Sequence, residues 1–314
     1  MNDVNYLVIS STIDYSSDLI CYELERRGKS YLRINRDHFA EYKILYSFEA
    51  DCLSITMDGS TYKITSNTLR SVYYRAPVFL RSGKKYTLQE QLYRSQWSAF
   101  IRNLIIFDKA KWVNHPVATY RAENKMYQLQ CAKRFNFEVP TTYIGNSFPT
   151  DISREHTYIV KSLDTALFYD NGQEMFTYST MVTGQELLDA EIKSAPIIIQ
   201  DCLLDKTDLR VTVIGNEIFA VSITKNGQKI KGDWRQNTKE ELAYNRIDLP
   251  PKIHQQIIGF MRFLGLEFGG IDFALVNEEY YFIEVNPTGE WGWLVSSSHL
   301  PIDKAIVSLL ATEA

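Results

Sequence analysis

The sequence predicts a mixed α/β fold. Its 314 residues, at roughly 150 for one domain, indicate about two domains. Residues 5–35 pass from an extended apolar run to helical spacing and back, which is typical of a βαβ unit. Turn dipeptides such as Asp58-Gly59 separate short β-branched and aromatic runs, which indicates antiparallel hairpins. Hydrophobic residues make up 45% of the chain, enough to give each domain its own core.

The charge balance and the apolar runs limit the classes of partner. Lys and Arg number 34 against 38 Asp and Glu, a net charge of −4, so the chain lacks the positive field that attracts nucleic acid. The apolar runs at 104–107 and 195–199 are far shorter than the roughly 20 residues of a membrane span. Without a basic signal segment, and with 4 cysteines that lie singly, the sequence favours a cytoplasmic protein with reduced thiols.

The predicted boundaries give an α/β domain at 1–117, followed by two subdomains, a small antiparallel lid at 118–196 and a C-terminal subdomain at 197–314. In the first, the βαβ opening is followed by short strands over 43–64, a strand at 71–75 that Pro77 ends, and a helix over 87–107 that precedes His115-Pro116. In the second, the expected elements are a helix at 120–136 with Met126, Leu129 and Ala132 on one face, strands at 158–163, 166–170 and 174–179 with a turn at Asn171-Gly172, and a helix near 184–192. In the third they are strands at 197–203, 209–214 and 217–224, a helix over 250–265, a hairpin over 270–286 and a closing helix at 303–311.

The predicted hairpin brings oxygen side chains together. A three-residue loop at 277–279 pairs Val276 with Tyr280, and the same register places Asp272 opposite Glu284. Asn286 shares the face of Glu284, whereas Ile283 and Val285 point into the core. Such oxygen ligands suit Mg²⁺, which also relieves the repulsion between two carboxylates. The alternative is a solvated face with ordinary charges, which the flanking Phe273 and Phe282 disfavour.

Basic residues provide a second cluster. A two-residue turn at Gly215-Asn216 puts Lys206, Asp208, Arg210 and Lys225 on one face, which suits polyphosphate, although a surface ladder of ion pairs is the alternative. Lys161 lies within an apolar strand, where a bound anion would stabilise its ammonium group. Lys125 follows Asn124 on a helix, and for this residue alone an ordinary surface lysine is favoured.

Together these residues resemble the ordered signature of the ATP-grasp ligases. The resemblance covers about residues 118–296 and rests on Lys125, Lys161, the hinge Gln200–Leu203, Asp208-Leu209-Arg210, and Asp272 followed by Glu284-Val285-Asn286-Pro287. Motifs at 73–77, 208–215, 232–235 and 286–293 resemble the graspetide (microviridin-type) synthetases within that superfamily. That branch joins Asp or Glu carboxylates of a ribosomal precursor peptide to Thr or Ser hydroxyls or Lys amines.

The resemblance implies an ATP-grasp fold, with the 1–117 domain preceding it, and the cofactors ATP and Mg²⁺, with two ions. The roles that it implies are ATP phosphate contacts for Lys125 and Lys161, adenine contacts for Gln200, Asp201, Cys202 and Leu203, a ribose contact for Asp208, acyl phosphate stabilisation for Arg210, Mg²⁺ binding for Asp272, Glu284 and Asn286, and a phosphate or acceptor carboxylate contact for Arg235. Tyr74 and Arg75 are candidates to face the substrate, with an ordinary strand end as the alternative. Unlike many members, this chain has no glycine at 162–166.

The partner implied is a precursor peptide with a leader and a core, and a homodimer is left open. Two other functions fit the same ATP site. One is a ligase that acts on a free amino acid or a protein C-terminus, and the other is a catalytically silent ATP-binding regulatory module.

Overall fold

The computed structural model describes residues 2–77, 86–164, 167–170 and 173–312, without the side chains of residues 2, 167–170, 173–176 and 239. The turn expected at Asn171-Gly172 lies outside these residues, as do Thr165 and Ala166 of the glycine-free segment. Mixed α/β architecture is confirmed. Among the described residues, no helix is both long enough and apolar enough to cross a membrane.

The first part of the chain contains two sheets. Its elements are β1 (Asn2–Asp3), β2 (Tyr6–Ser10), α1 (Tyr15–Arg26), β3 (Tyr31–Asn35), β4 (Lys43–Ser47), β5 (Cys52–Met57), β6 (Ser60–Thr65), β7 (Ser71–Tyr74), α2 (Leu88–Asn103) and β8 (Lys111–Val113). The parallel sheet has the order β3-β2-β7-β8, and the other sheet has the order β1-β6-β5-β4. The βαβ opening is confirmed: the Asp14 carboxylate caps α1 by accepting from the Ser17 N–H, 3.4 Å away.

The middle of the chain forms two short helices and the lid. Its elements are α3 (Pro116–Ala122), α4 (Lys125–Arg134), β9 (Thr142–Gly145), β10 (Thr157–Lys161), β11 (Leu167–Asp170), β12 (Gln173–Phe176), β13 (Thr180–Thr183), α5 (Gly184–Asp189) and β14 (Ile197–Asp201). The lid sheet has the order β13-β10-β14-β9, and β11 pairs with β12.

The single helix expected at 120–136 is wrong. Pro116 begins α3, the chain turns at 123–124, and Asn124 is the N-cap residue of α4. Because α4 begins at Lys125, Met126 lies in its first turn and is 62% exposed, whereas Ala132 is buried as expected.

The C-terminal part is built on one antiparallel sheet. Its elements are β15 (Thr207–Ile214), β16 (Glu217–Lys225), β17 (Leu242–Ile247), α6 (Pro251–Leu264), β18 (Phe268–Val276), β19 (Glu279–Asn286), α7 (Gly292–Ser298) and α8 (Ile302–Ala311). The sheet has the order β17-β16-β15-β18-β19, so β19 is an edge strand. One face of this sheet packs against α4 and α6 through residues such as Val211, Phe260 and Phe282.

The domain limits remain predictions. Strand pairing and core packing, however, place two segments with a different part of the chain from the one predicted. β14, expected in the C-terminal domain, pairs with β9 and β10 of the lid. α4, expected in the lid range, contributes to the core below β19. The N-terminal sheet also shares a core with the end of the chain, because Tyr6, Val8 and Leu24 pack with Trp291 and Ile306. The Ser71 hydroxyl donates to the Leu310 carbonyl, 2.9 Å away, and ties β7 to α8.

Candidate functional site

A cleft lies between the lid sheet and the C-terminal sheet. β10 and β14 supply one wall, and β15, β18, β19 and the segment 232–235 supply the other. Nine of the predicted site residues line this cleft: Lys161, Gln200, Asp201, Cys202, Leu203, Asp208, Arg235, Asp272 and Glu284. Lys125, Arg210 and Asn286 reach the same place through their contacts with Glu284 and Asp272.

Asp272 faces Glu284 as predicted, but the turn that produces this pairing differs. The hairpin closes with a two-residue turn, so that Val276 pairs with Glu279 and not with Tyr280. A bulge then restores the predicted pairing, because Phe273 pairs with Phe282 while Asp272 pairs with Glu284. Ile283 is the extra residue, and it lines the cleft where the prediction placed it in the core.

Three oxygen-bearing side chains meet at this pairing. The Asn286 amide nitrogen lies 3.3 Å from both Asp272 Oδ2 and Glu284 Oε1. Asp272 Oδ1 is buried and accepts no hydrogen bond from any described residue; Arg210 Nε is 3.4 Å away. A carboxylate oxygen with open lone pairs beside a second carboxylate is a donor set that fits a hard cation such as Mg²⁺.

Burial and charge act differently on the two carboxylates. Burial raises the pKa of Asp272 to about 6, with Arg210 opposing and Glu284 adding to the increase. Burial also raises the pKa of Glu284, but Lys125, Lys161 and Arg235 outweigh it and hold that pKa well below its usual value. Lys125 is ion-paired with Glu284 Oε2, and Arg235 Nη1 lies 3.8 Å from Glu284 Oε1.

Arg210 is buried beside Asp272 with unused donors. Its Nε and Nη1 make no hydrogen bond to any described residue. The side chain fits because position 270 is glycine: a β-carbon at Gly270 would lie 2.7 Å from Arg210 Nη1. Planar N–H donors left unpaired at a buried site suit a phosphate or carboxylate oxygen.

The predicted basic face on β15 and β16 is only partly assembled. Ile214 pairs with Glu217 as predicted. Lys206 is ion-paired with Asp208, whose pKa is raised by burial against the opposing effect of Lys206. Lys225 does not line the cleft: its ammonium contacts Glu241 at 3.1 Å and Asn237 at 3.0 Å.

The hinge side of the cleft is a chain of polar contacts. Lys161 Nζ donates to Gln200 Oε1 (2.9 Å), the Gln200 amide donates to Thr142 Oγ1 (2.8 Å), and the Thr142 hydroxyl donates to the Pro140 carbonyl (2.7 Å). Burial lowers the pKa of Lys161 to about 8, against the opposing charge of Glu284.

The hinge backbone is partly engaged within the lid sheet. The N–H groups of Asp201 and Cys202 donate to the carbonyls of Thr141 and Thr157. These two N–H groups are therefore not available to a base, although both side chains line the cleft.

Tyr74 and Arg75 do not line the cleft, and their contact with a substrate stays a prediction. Tyr74 lies inside the N-terminal domain against Trp112, where burial raises the pKa of its hydroxyl to about 12. Arg75 contacts Asp14 Oδ2 at 3.0 Å and Glu290 Oε2 at 3.3 Å, and it donates to the Gly289 carbonyl. Both residues are committed to contacts within the protein.

Sequence reasoning missed three residues that hold the site. Asp233 accepts from Arg235 Nε (2.9 Å) and from the Ser179 N–H (3.3 Å), so it orients Arg235 and links it to the lid. Its two-residue spacing from Arg235 was the available signal. The side-chain amides of Asn114 and Gln128 donate hydrogen bonds to the backbone carbonyls of Pro287 and Val285. A single sequence gives no signal for contacts between residues so far apart in the chain.

Known proteins resemble this chain in sequence and in fold. A RimK-like ATP-grasp domain matches residues 151–310, just over half of the chain. The macrocyclase MdnC of Microcystis aeruginosa, solved with its precursor peptide MdnA, has a TM-score of 0.84 and 26% identity and covers 98% of this chain and 99% of its own. A RiPP-associated ATP-grasp ligase of Chryseobacterium gregarium, solved with ADP and a leader and core peptide, has a TM-score of 0.81 and 23% identity over 100% of this chain and 98% of its own.

Curated relatives match a shorter part. A probable α-L-glutamate ligase of Maridesulfovibrio salexigens is 24% identical over 182 residues, which is 55% of this chain and 58% of that protein. The chain thus spans 58% of the length of this curated relative.

Proposed function

Because the chain belongs to the RimK-like ATP-grasp family, we propose that it is an ATP- and Mg²⁺-dependent ligase that closes ester or amide rings between side chains of a precursor peptide. The observation that carries this proposal is a likeness in fold to a peptide macrocyclase that extends over 98% of the chain. A likeness confined to the ATP-binding part would support only the coarser function of a ligase.

The contacts in the cleft support a division of roles. Lys125 and Lys161 are positioned to neutralise ATP phosphates, with the hinge residues Gln200–Leu203 at the adenine end and Asp208 at the ribose. Asp272, Glu284 and Asn286 would hold Mg²⁺, with two ions expected. Bound Mg²⁺ would supply charge neutralisation at the phosphates.

The proposed reaction needs no nucleophile from the protein. A carboxylate oxygen of the peptide attacks the γ-phosphorus of ATP, ADP leaves, and an acyl phosphate forms. A hydroxyl or amine of a second side chain then attacks the acyl carbon, phosphate leaves, and the proton of the attacking group is released. The unpaired donors of Arg210 and the charge of Arg235 would stabilise the negative charge that develops on the phosphoryl and acyl oxygens.

Co-expression with short acidic peptides rich in Thr, Ser or Lys, encoded near this chain, tests the proposal. Mass spectrometry should detect the loss of one water mass for each ring. Glu284→Gln should abolish that loss, whereas Glu241→Gln, the same change at the exposed partner of Lys225, should leave it unchanged. Peptides of unchanged mass alongside an enzyme that binds ATP would contradict macrocyclisation.

A second candidate function is supported by the curated relatives, which are glutamate ligases. An enzyme of that kind would add glutamate to a protein end and increase the mass of its substrate. The same mass measurement, repeated with free glutamate present, separates the two: ring closure lowers the mass, and ligation raises it.

A further inference from the structure

Gln128 lies on α4, beneath the edge strand that carries two of the proposed Mg²⁺ ligands. Its side chain is 3% exposed. The amide nitrogen donates to the carbonyls of Val285 (2.8 Å) and Ala122 (2.6 Å), and the amide oxygen accepts from the Val285 N–H (3.0 Å). Both amide protons and the oxygen are therefore used, and each hydrogen bond has the correct polarity.

The position of Val285 gives these hydrogen bonds their importance. Val285 is the single residue between Glu284 and Asn286. On its inner side β19 pairs with β18. On its outer side Glu138 forms an isolated bridge with Tyr281, and no described strand continues this pairing as far as Val285. The Gln128 amide takes the place of a neighbouring strand at Val285, satisfying both its N–H and its C=O.

A second contact from α4 reaches the adjacent residue. Lys125, one helical turn before Gln128, is ion-paired with the Glu284 carboxylate. Helix α4 thus contacts the Glu284 carboxylate through the Lys125 ammonium group, and it fixes the backbone of the next residue through the Gln128 amide.

From these contacts we infer that Gln128 is a positioning residue for the metal site, which holds the 284–286 backbone so that the Glu284 and Asn286 side chains converge on Asp272. This inference rests on the proposed function, since it requires that these side chains bind Mg²⁺. Gln128 precedes the segment 151–310 that matches the ATP-grasp family. The hydrogen bonds of its amide go to backbone groups of Ala122 and Val285, so it acts through the strand.

Gln128→Met tests the inference, because methionine is unbranched and of similar length but makes none of the three hydrogen bonds. Gln256→Met is the matched control: Gln256, on α6, donates to the carbonyls of Phe135 and Asn136, which directly follow the C-terminal end of α4. With ADP present, Mn²⁺ binding is followed by electron paramagnetic resonance. We expect the Mn²⁺ dissociation constant to rise roughly tenfold or more in Gln128→Met, as for other residues that orient metal ligands, and to stay unchanged in Gln256→Met.

Amide hydrogen exchange without metal provides a second measurement. The Val285 amide should exchange faster in Gln128→Met than in the parent protein and in Gln256→Met, while the interior amides of β15 stay protected. If Gln128→Met fails to fold, Gln128→Asn replaces it, since it keeps the amide and shortens the side chain by one methylene.

The outcomes separate this inference from the proposed function. Unchanged Mn²⁺ affinity in a folded Gln128 variant overturns the positioning role and leaves the proposed function intact. A parent protein that binds no Mn²⁺ with ADP overturns the proposed metal site, and the positioning role with it.

Discussion

The guanidinium group of Arg210 passes so close to Gly270 that a β-carbon at position 270 would lie 2.7 Å from Arg210 Nη1. The two residues are near neighbours across β15 and β18, where Arg210 pairs with Asp272 and Thr212 pairs with Gly270. Absence of a side chain at position 270 therefore determines where the charge of Arg210 lies. Any side chain there must displace the guanidinium group from Asp272.

Gly270→Ala should therefore impair catalysis without unfolding the protein. Displacing Arg210 removes donors that we assign to the acyl phosphate, and loss of one such donor typically lowers kcat roughly 100-fold. The control is Gly145→Ala, since the nearest atom to a β-carbon at Gly145 is 4.0 Å away. ADP release with a peptide substrate gives kcat, and a normal rate in Gly270→Ala would remove Arg210 from the proposed chemistry.

Arg75→Met should destabilise the protein, because it leaves the Asp14 carboxylate buried without its cation. We expect a loss of about 3 kcal/mol in the free energy of unfolding, measured in urea. The double variant Arg75→Met, Asp14→Asn should recover part of that loss. An arginine that faces the substrate would show the opposite behaviour, with normal stability and a raised KM for the peptide.

Acid should selectively weaken the ion pairs that Glu23 makes with Arg26 and Arg27 at the C-terminal end of α1. Hydrogen bonds from Arg26, and further from Arg27, outweigh burial and lower the pKa of Glu23 from 4.5 to about 2. The charged form is favoured by folding, so its stabilisation is complete above pH 4.5 and is lost as the pH falls towards 2. Glu23→Gln should be about 2 kcal/mol less stable than the parent at pH 6 and equally stable near pH 2. Denaturation in urea at several pH values measures this difference, and a constant difference would contradict it.

Nucleotide affinity should depend on the charge of Lys161. Burial lowers its pKa to about 8, so the ammonium form that attracts phosphate is present below that pH and is lost above it. ADP binding, measured by calorimetry in the absence of metal, should weaken as the pH rises from 7 to 9. Lys161→Met should bind more weakly at pH 7 and lose this dependence. If the variant keeps the dependence, another group is responsible for it.

The Asp272–Glu284 pairing was predicted correctly, but from a three-residue loop that the hairpin does not have. The sequence could not predict the bulge at Ile283, since one extra residue in a strand depends on packing between sheets. The predicted turn was one residue too long, and the bulge compensated for that error. Ile283 changed faces as a result.

The other differences have local and distant causes. The split between α3 and α4 follows from Pro116 and Asn124, which were visible in the sequence, but apolar spacing favoured a single helix. Tyr74 was a candidate to face a substrate, with an ordinary strand end as the alternative, and its ring packs in the N-terminal core. Arg75 could not be recognised as structural, because its partner Glu290 lies 215 residues away.

The packing of the last helix against the first sheet constrains synthesis of the protein. Arg27, the C-cap residue of α1, donates to the Lys304 carbonyl, Ser71 on β7 donates to the Leu310 carbonyl, and Tyr6 and Leu24 pack in one core with Ile306. On the ribosome, the opening βαβ unit emerges long before Ile302–Ala311 is translated, so part of its apolar surface stays uncovered until that helix emerges. Final closure of the N-terminal domain therefore waits for α8, and an N-terminal fragment ending at residue 117 lacks part of its own core.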